Sequence, residues 1–189
     1  MTQSPWKPHD DYDIRGSSPR WDDLRFPVTA VNPPGQVSDP DVDVNSGLLL
    51  FDAAATELIF IIAQMPHSWL AGSEVRPHVH WCKSTSAAGN VAWRLRYRLS
   101  PIGSVSTDWI DHGFASEPAT ADDNTAFQHI INAWEPIQMT DMTLSGIINF
   151  ELTRVGGNAL DTYGADARLA EFDLHYQVDS RGSRQEYIK

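Results

Sequence analysis

Between Val91 and Leu99 the chain alternates without a break: Val91, Trp93, Leu95, Tyr97 and Leu99 are separated by Ala92, Arg94, Arg96 and Arg98. Successive side chains of a β-strand point to opposite faces, so this period of two predicts a strand with one buried apolar wall and a row of three guanidinium groups on the other side. The polar row is where function is to be sought.

Short runs rich in β-branched and aromatic residues continue from Gly47 onward, punctuated by Gly, Pro, Asp and Asn, which is the pattern of strands and turns. The runs are Leu48 to Asp52, Glu57 to Met65, Val75 to Lys83, Asn90 to Ser100, Trp109 to Phe114, Ala126 to Trp134, Ser145 to Arg154 and Arg168 to Asp179. Eight such strands and no sustained 3.6-residue apolar period predict an all-β fold, an antiparallel two-sheet sandwich of jelly-roll type. Residues 156–167 read as a turn-rich loop. Leu58 to Ala63 is apolar on both faces, as expected of a central strand covered on two sides, whether by the second sheet and the preceding segment or by another subunit.

Residues 1–46 hold Pro5, Pro8, Pro19, Pro27, Pro33, Pro34 and Pro40, with acidic runs around residues 10–13 and 39–43. Proline withholds a backbone donor and restricts the residue before it, so this stretch is expected to be an extended N-terminal arm rather than a regular element. Trp6, Trp21, Leu24, Phe26 and Val28 are too many apolar groups for a solvated tail. The arm is expected to dock on its own domain or on a neighbour, with residues 47–189 forming the sandwich.

The 189 residues, 41% of them hydrophobic, suit one substantial core. A formal charge of -11, from 14 basic and 25 acidic residues, opposes the broad phosphate contact that drives nucleic-acid binding. Cys82 is the only cysteine, so an intramolecular disulfide is impossible and a reducing compartment is the expected setting. The first thirteen residues lack the cationic start and apolar run of a secretory signal, and no window approaches the roughly 20 apolar residues of a membrane helix.

Three further strands split like the first. Glu171, Asp173, His175 and Gln177 oppose Ala170, Phe172, Leu174, Tyr176 and Val178; Arg76, His78, His80 and Cys82 oppose Val75, Pro77, Val79 and Trp81; Asn149, Glu151 and Thr153 oppose Ile148, Phe150 and Leu152. If these strands share a sheet, Arg94, Arg96 and Arg98 meet Glu151, Glu171 and Asp173 on one charged face. Such a face suits a subunit contact, because the guanidinium fork pairs bidentately with carboxylates. On that reading the chain has no catalytic residues, no metal and no cofactor, and the aromatic residues of the arm add to the contact.

The same residues admit a metal-centred alternative. His78 and His80 project to one side of a strand and His175 could join them, three imidazoles suited to zinc or iron. Gly72, His78 and His80 resemble the G-x5-H-x-H opening of the cupin metal motif over about nine residues. A cupin would next place a glutamate where this chain has Ser84 and Thr85, and the second cupin motif is missing after Pro136. Cys82, inside a strand beside Trp81, reads as a buried inert thiol. Nucleophile-elbow, P-loop and dinucleotide-binding motifs are absent. Trp69, Trp109 and Trp134 suit packing, or a carbohydrate-stacking role in a receptor-binding module.

The strings Trp21-Asp22-Asp23-Leu24-Arg25-Phe26-Pro27, Gln64-Met65-Pro66-His67-Ser68-Trp69, Pro77-His78-Val79-His80-Trp81, Phe172-Asp173-Leu174-His175-Tyr176-Gln177-Val178-Asp179 and Gly182-Ser183-Arg184-Gln185-Glu186-Tyr187 resemble a group of small proteins encoded among virion genes of tailed bacteriophages and prophages. The resemblance covers most of the chain. By analogy with jelly-roll decoration and cement proteins of phage heads, it implies a capsid-stabilising protein made in the host cytoplasm. Such a protein sits on the capsid exterior and binds the major capsid protein and itself, as a homodimer or homotrimer. A tail or fibre component is the nearest variant.

Overall fold

The computed structural model describes residues 20–115 and 125–186. Its elements are β1 (Arg20–Pro27), a 3-10 turn (Val28–Ala30), β2 (Asp41–Val42), β3 (Leu49–Phe51), β4 (Thr56–Gln64), β5 (Val75–Lys83), β6 (Trp93–Ser100), β7 (Ile110–Phe114), β8 (Ile130–Ala133), β9 (Ile147–Val155) and β10 (Ala167–Val178). One sheet runs β2-β3-β10-β5-β8, with β1 also paired to β10; the other runs β4-β9-β6-β7. All these pairings are antiparallel.

The pairs β3/β10, β4/β9, β5/β8 and β6/β7 nest, as if one long hairpin had been rolled up on itself. Every connection from β3 to β10 crosses between sheets except the one from β6 to β7. This winding makes the fold a jelly roll, and the eight strands expected from the sequence are the eight that build it.

Alternation explains each wall. Ile59, Ile61 and Ala63 of β4, Leu95 of β6, and Ile148, Phe150 and Leu152 of β9 are fully buried, while their neighbours face outward. Aromatic rings lock the two sheets together. Trp93 meets Phe51 at 5.0 Å and Trp81 at 5.9 Å, both edge-on, and Phe150 meets Phe172 at 5.1 Å. Each such pair contributes about 0.5–1.5 kcal/mol beyond the area it buries. The Trp81 indole donates to Asn132 Oδ1 at 2.6 Å, so its polar atom is satisfied within the core.

The structure departs from the sequence reading in three places. From Arg20 on, the expected arm belongs to the sandwich: all eight residues of β1 pair with β10, and Phe26 is buried against Phe172 with Leu24 packed on the same core. Pro27 is the last residue of this strand and does not interrupt it. Leu24 and Phe26 therefore pack within the chain, Trp21 is exposed beneath the Arg76 guanidinium, and Trp6 lies outside the described residues.

The doubly apolar strand β4 is an edge strand, not a central one. Its outer-face residue Ile62 is 53% exposed. Its free edge is met by residues 32–38: Asn32 and Phe60 exchange two main-chain hydrogen bonds, and Leu58 N donates to Ser38 O. An exposed strand edge invites pairing with another chain, and this loop blunts it.

The charged rows, finally, lie on different sheets. Arg94, Arg96, Arg98 and Glu151 sit on β6 and β9, whereas Glu171 and Asp173 sit on β10 in the opposite sheet. Local alternation fixes which side chains face outward but not which sheet a strand joins.

Candidate functional site

Antiparallel register assembles the most concentrated chemistry on the outer face of the first sheet. Asp173 stands opposite His78 on one side and Arg25 on the other; His175 stands opposite Asp23, and Glu171 opposite His80. Directly opposed residues have β-carbons about 4.5–5.5 Å apart, within reach of short polar side chains. A register shift between Leu169 and Glu171 sets the parity of the strand. Leu169 faces inward before it, and Phe172 and Leu174 face inward after it, which leaves Glu171, Asp173 and His175 outward.

Asp173 is buried despite its outward position, its side chain only 6% exposed. His80 Nε2 donates to its Oδ2 at 3.2 Å, and His80 Nδ1 lies 2.7 Å from His129 Nε2. A carboxylate only accepts, so with a neutral His80 the chain of donation runs from His129 to His80 to Asp173. His78 Nε2 is in ion-pair contact with Oδ1, yet Oδ1 receives no well-formed hydrogen bond. The other nitrogen of His78, Nδ1, donates to the Arg76 carbonyl at 3.4 Å. Burial acts to raise the Asp173 pKa, but hydrogen bonds and charge from His78 and His80 outweigh it and hold the carboxyl down at about 2.

Around this centre, His175 Nε2 lies 3.0 Å from Asp23 Oδ1, and its ring meets the His78 ring at 4.2 Å. Arg25 forks onto Glu171 with two contacts of 2.6 Å. Open grooves of about 500 and 580 Å³ flank Asp173, one lined by His80, Cys82, Phe127 and His129, the other by His78, Trp134, Glu135 and His175. Burial pushes the Cys82 thiol up, in keeping with an inert cysteine.

Of the three imidazoles singled out in the sequence, His78 and His175 converge on Asp173, while His80 turns toward His129 and the second oxygen of Asp173. The set that converges is His78, Asp173 and His175, one ligand atom on each lying within 4.8 Å of the others. A cupin-like enclosed centre is not formed, because these side chains face outward and Trp81, Trp93, Phe150 and Phe172 fill the space between the sheets. Asp23 and His129 carry no motif; only the long-range pairing of β1 with β10 and the approach of the segment before β8 bring them in.

The outer face of the second sheet is different. Arg94 forks onto Asp111 at 3.1 and 2.5 Å, and Arg96 reaches Glu151 at 3.2 Å. Arg96 and Arg98 stack on the Trp109 ring, 5.3 and 5.1 Å from its centroid. His67 sits away from both faces, bridging Ser183 and Ser145 at 2.5 and 2.9 Å.

No family model and no curated protein matches this chain. Solved structures with a similar course of the chain include a family 35 carbohydrate-binding module from an environmental isolate, at 9% identity and a TM-score of 0.40, covering 76% of this chain and 90% of that one. A family 35 module from Cellvibrio japonicus Abf62 aligns at 11% identity and 0.39, over 89% of this chain and 100% of that one. A chain of infectious bursal disease virus, Gx strain, aligns at 11% and 0.40 over 85% of this chain and 32% of its own length. At these identities and scores the likenesses bear on neither partner nor chemistry.

Proposed function

We propose that this chain is a non-catalytic structural protein of a tailed-phage virion, a decoration or cement protein that self-associates and binds the major capsid protein on the outside of the head. The observation that carries it is the outer face of the second sheet. Trp109 lies 6.2 Å from Phe60 and takes two guanidinium groups on its ring, and Ile62, two positions along β4 from Phe60, is exposed. Tryptophan and arginine around an apolar centre are the residues that protein contacts concentrate. Such a surface suits a protein partner. The charge of -11 keeps such a protein off the packaged genome. The resemblance of its motifs to virion proteins supplies the setting.

Light scattering of the purified chain, with co-sedimentation on empty heads of the encoding phage, tests this. The expected result is a dimer or trimer that binds heads, and loss of association in a Trp109→Ala, Arg96→Glu variant that melts within a few degrees of the parent. A strict monomer that ignores heads refutes it. Density for the protein on the tail, or glycan binding through Trp109, reassigns it to a receptor-binding station.

A further inference from the structure

We infer that His78, Asp173 and His175 form a binding site for a divalent transition-metal ion of the zinc class on the outer face of the first sheet. This goes beyond the assembly surface, which lies on the other sheet, and each stands or falls without the other.

Three observations carry it. The first is convergence: two imidazoles and a carboxylate from neighbouring strands bring one ligand atom each to within 4.8 Å of the others. A tetrahedral ion with bonds of about 2.0–2.2 Å holds its ligands roughly 3.5 Å apart, so to close the set the His175 ring, 44% exposed, must turn inward and the direct contact between His78 and Asp173 must open to admit the ion.

The second is the contact between His78 and Asp173. The bond from Nδ1 to the Arg76 carbonyl places the ring proton on Nδ1, so in a neutral His78 the Nε2 lone pair faces Asp173 Oδ1. Two acceptors in contact need a cation between them. A second proton on His78 supplies one in the ion pair, although its contact with Oδ1 is poorly aligned for a hydrogen bond. A metal ion accepts both lone pairs.

The third is the surrounding shell. Metal-ligating groups are ordinarily held by partners on their far side. Here His78 is held by the Arg76 carbonyl, His175 by Asp23, and Asp173 through its other oxygen by His80, itself met by His129. The donor set names the class of ion. Imidazole nitrogen favours zinc and its neighbours over magnesium and calcium, which take oxygen cages. With three protein ligands, one coordination position stays open toward the groove that His175 lines, free for water or for a carboxylate of a partner.

Isothermal titration of chelator-stripped, tag-free protein with zinc chloride, repeated with cobalt chloride while the visible d–d absorption is read, tests the site. The expected result is saturable uptake of one ion per chain, a rise in melting temperature with zinc, and a tetrahedral cobalt spectrum. Because His78 is buried and its removal risks the fold, the decisive variant is His175→Gln, at a half-exposed position. It should weaken zinc binding by about tenfold or more with the metal-free melting temperature unchanged. Asp173→Asn should weaken zinc binding likewise, while also lowering the metal-free melting temperature because Asp173 is the buried partner of His78 and His80, and His112→Gln, on the other sheet, should change nothing. Absence of saturable uptake overturns the site, as does zinc affinity equal to the parent's in both His175→Gln and Asp173→Asn.

Discussion

Arg154→Met isolates a densely bonded buried tie in the fold. Arg154 is fully buried near the end of β9, and its five N–H donors are all committed. Two go to Asp161, at 2.9 and 2.8 Å; the others go to the carbonyls of Tyr163 at 2.6 Å, Phe51 at 2.7 Å and Ala165 at 2.8 Å. Asp161, its side chain 1% exposed, also accepts the backbone N–H of Ala92 at 3.0 Å. One side chain thus joins β9, the end of β3, the loop before β10 and the entry to β6. Methionine fills much of the volume but strands a buried carboxylate and three carbonyls. Removing one partner of a buried pair costs about 3–5 kcal/mol, and orphaned carbonyls add to it, so a loss of about 5 kcal/mol is expected. For a domain of this size that is roughly 10–20 °C in melting temperature. Guanidinium unfolding followed by the fluorescence of the buried Trp81 and Trp93, with calorimetry beside it, reads the loss. Arg154→Met with Asp161→Asn should recover part of it by removing the stranded charge. Recovery stays incomplete because the carbonyls still lack donors. A single variant that loses less than about 1 kcal/mol, or a double variant less stable than the single, refutes the reasoning.

Two further outcomes follow from single positions. In Gly156→Ala the new β-carbon falls 2.1 Å from the Ala55 carbonyl oxygen, beside the 3.0 Å bond that Gly156 N donates to it. A cost of about 1–3 kcal/mol is expected in the urea midpoint, with Gly164→Ala, in open space, as the neutral comparison. Burial pushes Glu57 above the ordinary glutamate value of 4.5, outweighing the 2.7 Å bond it accepts from Asp52 N. Its folded pKa exceeds its unfolded one, so the stability of the neutral form is complete below 4.5 and is lost as pH rises through the folded value. Glu57→Gln should therefore melt higher than the parent at pH 7, with the gap closing on acidification; a gap independent of pH would refute that sign.

The strands of the jelly roll were legible because a sandwich buries one face of each, which writes a period of two into residues such as Ile148, Phe150 and Leu152. β1 was not, because it lies in a proline-rich stretch and ends on Pro27, and Asp22 stands on the inward parity of Leu24 and Phe26. Asp22 is accommodated by the hydroxyl of Tyr176, which donates to it at 3.1 Å from a strand about 150 positions later. The histidine pair was visible as a spacing. Its carboxylate partner was visible only as one more outward charge, since strand adjacency is set by how the whole chain winds.

Two buried charges show how structure separates support from function. Arg154 is on the inward parity of β9, where a charge is costly, and every donor it owns is used; such a group has nothing left to offer a ligand. Asp173 is on the outward parity of β10, where the surface pairs are open: Arg94 and Asp111 are 41% and 51% exposed and worth at most about 1 kcal/mol. Yet Asp173 is shielded on the side of His78 and His80 and keeps one oxygen without a well-formed hydrogen bond. The ion pair with His78 and the bond from His80 compensate its desolvation only while both imidazoles stay in place. A metal ion held between that oxygen and the imidazoles would use this pre-assembled carboxylate as its ligand.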